Sequence, residues 1–448
     1  VVLGHGAAVR MLLVAAALLA SAAGPARPAA AAVADPTAAA AIGRPPWLPR
    51  RALWVEVSAN LPLLSNREAI RTLVGRARDA GFDTLIPEAK NAWGFVTYES
   101  GFAPHIRASP VARPFPPTYP PPREWYPAEF DALAALVEEA HAAGLRVHAA
   151  VNVFGAGLAR EGVGLAFERP AWQDVHAIGA PGRAGTALVP GAGVAGMTIV
   201  FTNPAHPEVQ LYELAVLWEV VSRYAVDGIV LDRARYSAVT ADFSDVSRAR
   251  FEAALGRPVA RWPDDVVLFL GESLRPGPLF GAWVAWRATV IREFVRAAGQ
   301  VVRRTRPGIP LAMYVGAGYP TAYEVGQNWG RADAPPLFPA WTPAWGEASL
   351  LSHLDYLIAG LYYRTLSPVE AIFRGASGWR SVAGGATLAR VVTGGTPLLG
   401  GIWLQVYSGD RARGRGALRA AARYADGVMV FDLSDVIHGD WWEAVAHP

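Results

Sequence analysis

Apolar residues recur along this chain in two alternating textures: short unbroken runs, and longer stretches in which they return every three or four positions. The first texture suits strands covered on both faces and the second suits helices that cover them, so the alternation predicts βα units around a parallel sheet. Strand one is expected over Ala52–Ser58, its helix from an Asn66 cap to Ala80, and strand two over Asp83–Pro87. A helix over Phe130–Ala143 precedes strand three at Arg146–Val153, and a helix over Leu211–Tyr224 precedes strand four, centred on Ile229, Val230 and Leu231. The helix Trp286–Arg304 then leads to strand five at Ile309–Val315, with strand six at Tyr356–Tyr362. Strand seven is read at Gly401–Val406, its helix at Arg415–Tyr424, strand eight at Gly427–Phe431, and Trp441–Val445 completes the ring. The predicted fold class is α/β, a single (β/α)8 TIM barrel over residues 51–448 with long βα-loop insertions and no second domain.

Four connections, Glu88–Glu129, Phe154–Pro207, Ser237–Phe280 and Gly316–Leu350, far exceed the ~2–6 residues usual for βα loops. Each follows the carboxyl end of a strand, the rim on which barrel enzymes place their chemistry. Tyr119, Trp125, Tyr126, Trp172, Trp329, Trp341 and Trp345 populate these loops, either as walls for sugar rings or as packing onto the barrel.

Upstream, Arg10 precedes the apolar run Met11–Ala20 and the small residues through Ala32, the order of a secretory signal over residues 1–32. Residues 33–50 read as an Ala/Pro-rich tether. No later run reaches the ~20 apolar residues of a membrane helix, so the expectation is a secreted or envelope-associated protein without stable membrane insertion after signal cleavage.

At 52% hydrophobic and 18% charged, the 448-residue chain has the composition of a folded protein with a large core. The 41 basic residues nearly balance 38 acidic ones without long basic runs, which argues against a nucleic-acid partner. Absence of cysteine excludes disulfides, thiolate metal sites and a cysteine nucleophile. Neither a phosphate loop, a dinucleotide fingerprint, a nucleophile elbow nor HExxH spacing occurs, so no cofactor or metal is expected. Lys90 is the one lysine among those 41 bases, which hints at a role that arginine would not fill.

The most informative stretch is Asp227–Tyr236, where a buried apolar run ends in Asp232, Arg233, Arg235 and Tyr236. Other strand ends offer Glu56, Glu88, Lys90, Asn91, Asn152, Tyr314, Tyr362, Gln405 and Asp432. Carboxylates, amides, tyrosines and arginines beside an aromatic rim match saccharide hydroxyls, and glycoside hydrolysis needs two carboxyl groups. Asp232 is the first choice, held ionised by Arg233 or Arg235. For the second, Glu324 lies in an aromatic loop, Glu88 ends strand two and Asp432 ends strand eight. A neighbouring Lys90 ammonium is expected to lower the Glu88 carboxyl, which fits binding better than acid work. Lys90, Asn91, Asn152, Arg233, Arg235, Tyr236, Tyr314, Trp329, Tyr362, Gln405 and Asp432 complete the expected saccharide-binding set.

Ala52–Glu56, Lys90–Ser100, Val147–Asn152, the Asn203-Pro204-x-His206-Pro207-Glu208-Val209 segment and Asp227–Tyr236 together resemble the glycosyl-hydrolase-like family 10 barrels, from about Arg51 to Arg364. The resemblance implies an exported glycosidase barrel with its key aspartate at the end of strand four, here Asp232. One bacterial branch of the family trims peptidoglycan glycan strands that lack stem peptides. Its commoner pattern has two successive aspartates, whereas Arg233 takes the second place here. Leu-Asp-Arg-x-Arg-Tyr, followed by Asp242-Phe243-Ser244, Ser247-Arg248 and Phe251-Glu252, is similar to an amylase-like subgroup, in which Glu324 falls where amylase barrels carry their acid. A polysaccharide or oligosaccharide substrate is therefore expected, a bacterial cell-wall glycan first and an α-glucan second. The rival expectation is a barrel of the envelope that binds polysaccharide without cleaving it.

Overall fold

The computed structural model describes residues 44–111, 120–180 and 185–448. The expected signal, most of the tether and Tyr119 lie outside the described residues. Eight parallel strands close a barrel: β1 (Arg51–Val55), β2 (Thr84–Lys90), β3 (Arg146–Asn152), β4 (Gly228–Asp232), β5 (Leu311–Gly316), β6 (Tyr356–Gly360), β7 (Leu398–Trp403) and β8 (Gly427–Phe431). Each strand pairs with its neighbours in sequence, and β8 returns to β1 with Val428 opposite Arg51.

Alternate strand residues face opposite sides of the wall, and the two sides bury different clusters. Ala52, Trp54, Ile86, Ala150, Val230, Ala312, Ile358, Leu399 and Met429 fill the barrel interior. Leu53, Leu85, Val147, Ile229, Leu231 and Leu357 face outward and pack under the helices. Those helices are α1 (Arg67–Asp79), α2 (Ala132–Ala142), α3 (Pro207–Arg223), α4 (Phe280–Thr305), α5 (Val382–Thr393), α6 (Arg411–Tyr424) and α7 (Leu433–His438). The Asn66 side chain caps α1 at the Ala69 amide, as its position before the apolar stripe predicts.

Two departures from the sequence expectation bear on the site. β2 runs on to Lys90, and its pairing with β3 slips between Glu88 and Lys90, where an extra residue makes a bulge. β7 begins at Leu398, which leaves Gln405 in a 3₁₀ turn beyond the strand. Between β5 and β6 the cover is a 3₁₀ segment, Tyr319–Val325, and the short helix Pro343–Glu347 in place of a long helix. Among the described residues no helix is long and apolar enough to cross a membrane.

Candidate functional site

Residues two positions beyond the interior core keep its inward direction, so the top layer of the barrel is set by strand parity. Glu56 follows Trp54 in this way, Glu88 follows Ile86, Asn152 follows Ala150, Asp232 follows Val230, Tyr314 follows Ala312 and Phe431 follows Met429. A cavity of about 200 Å³ opens among them, lined by Glu56, Glu88, Asp232, Arg233 and Arg235 with Trp54, Tyr314, Tyr362 and Phe431 as its aromatic walls.

Asp232 stands opposite Asn152 in the β3–β4 ladder. Its Oδ1 accepts from the Arg233 amide at 2.8 Å and its Oδ2 from Arg233 Nη1 at 2.7 Å. Arg233 has a left-handed backbone, φ 47°, an uncommon conformation for a side chain with a Cβ. Its stem passes over Gly155, where a Cβ would come within 2.8 Å of Arg233 Cδ. The same Nη1 donates to Asn152 Oδ1, and Asn152 Nδ2 donates to Glu88 Oε1 at 3.0 Å. Glu88 Oε2 accepts the Val57 amide at 3.1 Å. One bridge of hydrogen bonds therefore runs Asp232, Arg233, Asn152, Glu88.

Burial, joined by the Glu56 charge, raises the Glu88 carboxyl well above the usual range despite the pull of Arg233 and the Val57 amide. Glu56 is raised by burial and by Asp432, against its hydrogen bonds to Ser58 and Ala59. Burial works to lower the Arg233 guanidinium, but Asp232, Glu88 and Glu56 outweigh it, and Arg233 is held above its ordinary value. Two carboxyls that resist ionisation thus share a cavity with an aspartate paired to an arginine, an arrangement suited to divided acid and base duties.

Several predicted site residues lie elsewhere. Parity alone would turn Lys90 inward with Glu88, but the bulge turns it outward, where its ammonium meets Glu213 of α3 at 2.5 Å and donates to the Val153 carbonyl at 3.1 Å. Both members of that pair are buried: burial pushes Glu213 up to about 7 and Lys90 down, opposed by their mutual attraction. Lys90 is therefore a strut between strand and helix and does not depress Glu88. Asn91 turns its amide oxygen to the amides of Trp93 and Phe95, both at 3.0 Å, and shapes the loop. Tyr236 is fully buried beneath the Arg287 guanidinium, 4.3 Å from its ring centre. Trp329 is buried edge-on against Tyr319. Glu324 is absent from the cavity lining, although burial raises it against Arg380 and Arg287.

Asp432 sits behind Glu56, where Oδ2 accepts from Asn60 at 3.0 Å and Oδ1 accepts from Ser434 and the Asp435 amide to cap α7. Arg235 lines the cavity with its Nη1 donating to the carbonyls of Tyr236 and Ser237 at 2.9 and 3.2 Å. Gln405 lines a separate cavity. The loop residues Tyr126, Trp172 and Trp345 are buried and fasten loops to the barrel. Asp242 does the same work: Val175, Ser244 and Ser247 all donate to its carboxylate. Trp54 and Phe431 were not singled out by sequence, and Glu56 was noted only as one strand end among many; strand parity is the signal that finds all three. Among the described residues no group of three or more His, Asp or Glu side chains is arranged to hold a metal ion.

The family described as Glycosyl hydrolase-like 10 matches residues 49–395. A curated relative, an S-layer-related protein of Niallia circulans, is 28% identical over 405 residues, covering 86% of this chain and 23% of that protein, so the chain spans about a quarter of the relative's length. The PgaB (BpsB) glycoside hydrolase domain from Bordetella bronchiseptica superposes with a TM-score of 0.56 at 12% identity, covering 89% of this chain and 98% of that one. Alpha-L-fucosidase isoenzyme 2 from Paenibacillus thiaminolyticus gives a TM-score of 0.51 at 14% identity over 89% of this chain and 48% of that one. At such identities the likeness concerns the fold, the (β/α)8 barrel.

Proposed function

The chain belongs to the Glycosyl hydrolase-like 10 family, and from that membership we propose that it hydrolyses glycosidic bonds in a polysaccharide, with Asp232 and Glu88 as the working carboxyls. The observation that carries this reading is the convergence of Glu56, Glu88 and Asp232 on one aromatic-walled cavity at the barrel's C-terminal rim. Asp232, held in place by the Arg233 amide and guanidinium, attacks or stabilises the anomeric carbon. Glu88, raised well above the usual carboxylate range by burial and by Glu56, delivers its proton to the leaving glycosidic oxygen. Glu56 stands beside it as the neighbouring carboxyl that adds to the effect of burial, and Tyr314 and Tyr362 present ring faces and hydroxyls to the sugar.

A bacterial cell-wall glycan is the favoured substrate and the cell envelope the favoured location. The likeness to an S-layer-related protein supports that location, and the leader-like residues 1–32 support export. The test is product release by mass spectrometry from denuded peptidoglycan strands, chitin, starch and pullulan, comparing the protein with Asp232→Asn. Cleavage of the first alone, reduced about a thousandfold or more in the variant, is the expected result. Release from starch or pullulan moves the substrate to α-glucans, and tight binding without cleavage of any polymer replaces the enzyme with a binding barrel.

A further inference from the structure

Beside the catalytic cavity lies a second and larger one, about 750 Å³, between the turn after β7 and helix α7. Gln405, Arg411, Asp435 and His438 give it polar walls and Trp441 an apolar one. An indole joins the two spaces. Trp403, the last residue of β7, has its ring centre 5.6 Å from Tyr362 and 6.5 Å from Phe431, both walls of the catalytic cavity. On its other edge the Trp403 Nε1–H donates at 2.9 Å to Asp435 Oδ2, inside the second cavity. Trp403 is half-buried, as are Tyr362 and Phe431, so the three rings form a partly open aromatic surface from one cavity to the other.

Volume gives that surface its meaning. The catalytic cavity, about 200 Å³, falls below the ~300–1,000 Å³ of ordinary ligand sites, while its neighbour falls within them. A bond in the middle of a chain needs room on both sides, and enzymes draw on contacts with remote parts of a substrate to drive the reacting part. Amphipathic sugar rings stack on aromatic faces and send their hydroxyls to amides, imidazoles and carboxylates, the groups that Gln405, His438 and Asp435 offer. Both Gln405 and His438 are exposed, and both lie beyond residue 395, where the family match ends.

We propose that the cavity bounded by Gln405, Asp435 and His438 is a distal saccharide subsite, reached from the catalytic cavity across Trp403, and that the substrate is accordingly a glycan chain several sugars long. The assignment rests on the glycosidase reading above, and the experiment separates the two. A ladder of oligosaccharides is prepared from whichever polymer the protein cleaves, and kcat/KM is measured against chain length. Wild type should rise with length, and Trp403→Ala should shrink the ratio of longest to shortest about tenfold, through KM more than kcat. Gln405→Ala, at an exposed position that folding tolerates, should shrink it in the same direction, and thermal melts establish that each variant is folded. A wild-type kcat/KM independent of length, or variants that slow every length equally, overturns the subsite while leaving the glycosidase standing. Failure to cleave or bind any member of the ladder overturns the glycosidase and the subsite with it.

Discussion

Glu88 carries the sharpest consequence at the scale of one residue, because its proton is held by burial and by a like charge. A carboxyl whose folded value lies above its unfolded one stabilises most at low pH, and stability falls as pH rises above the ordinary ~4.5 toward the raised value, at about 1.4 kcal/mol per unit. Glu88→Gln removes that penalty. Urea denaturation at pH 5 and pH 8 should show the variant gaining on the wild type as pH rises. Catalysis should move the other way: kcat falls about a hundredfold or more, and the alkaline limb of the rate profile, where Glu88 loses its proton, disappears. A variant whose profile keeps that limb unchanged assigns the acid to another group, Glu56 first. The Arg233 guanidinium, just past the end of β4, and the Val57 amide oppose the shift without reversing it.

At the scale of elements, β2 and α3 are tied by an ammonium and a carboxylate with almost no access to water. Breaking such a pair leaves one charge buried alone, at a cost of about 3–5 kcal/mol. Lys90→Met should pay close to that at pH 8 and less at pH 6, since Glu213, already pushed up to about 7, then takes a proton. Thermal melts at the two pH values check the sign, and the folded variant should cleave substrate at the wild-type rate, which a substrate-binding lysine would not permit. The elements themselves were largely legible: β8 falls on the predicted residues, and α1 starts at its predicted cap. Apolar runs bounded by glycine and polar caps carry that information locally. Lys90 shows what they do not carry, because a one-residue bulge reverses a side chain's direction while leaving the hydrophobic pattern intact. Asp232, Glu88, Arg233, Arg235, Tyr314 and Tyr362 were legible as strand-end chemistry on one cavity, whereas Tyr236 and Trp329 are core residues whose loops fold back over them.

Across the whole molecule, the ring of strands leaves no edge among its eight members, and β8 supplies the last two seams by pairing with β7 and β1. Cutting the chain before Gly427 should expose both seams, and the truncated protein is expected to aggregate or unfold, read by size-exclusion chromatography and far-UV circular dichroism. A soluble truncated protein with native helix content would show that the remaining strands are self-sufficient. The closing seam joins Arg51 to Val428, so the ribosome releases one half of it hundreds of residues before the other. A contact between residues so far apart in sequence is of the kind that forms slowly, so closure of this seam is expected to come late in folding.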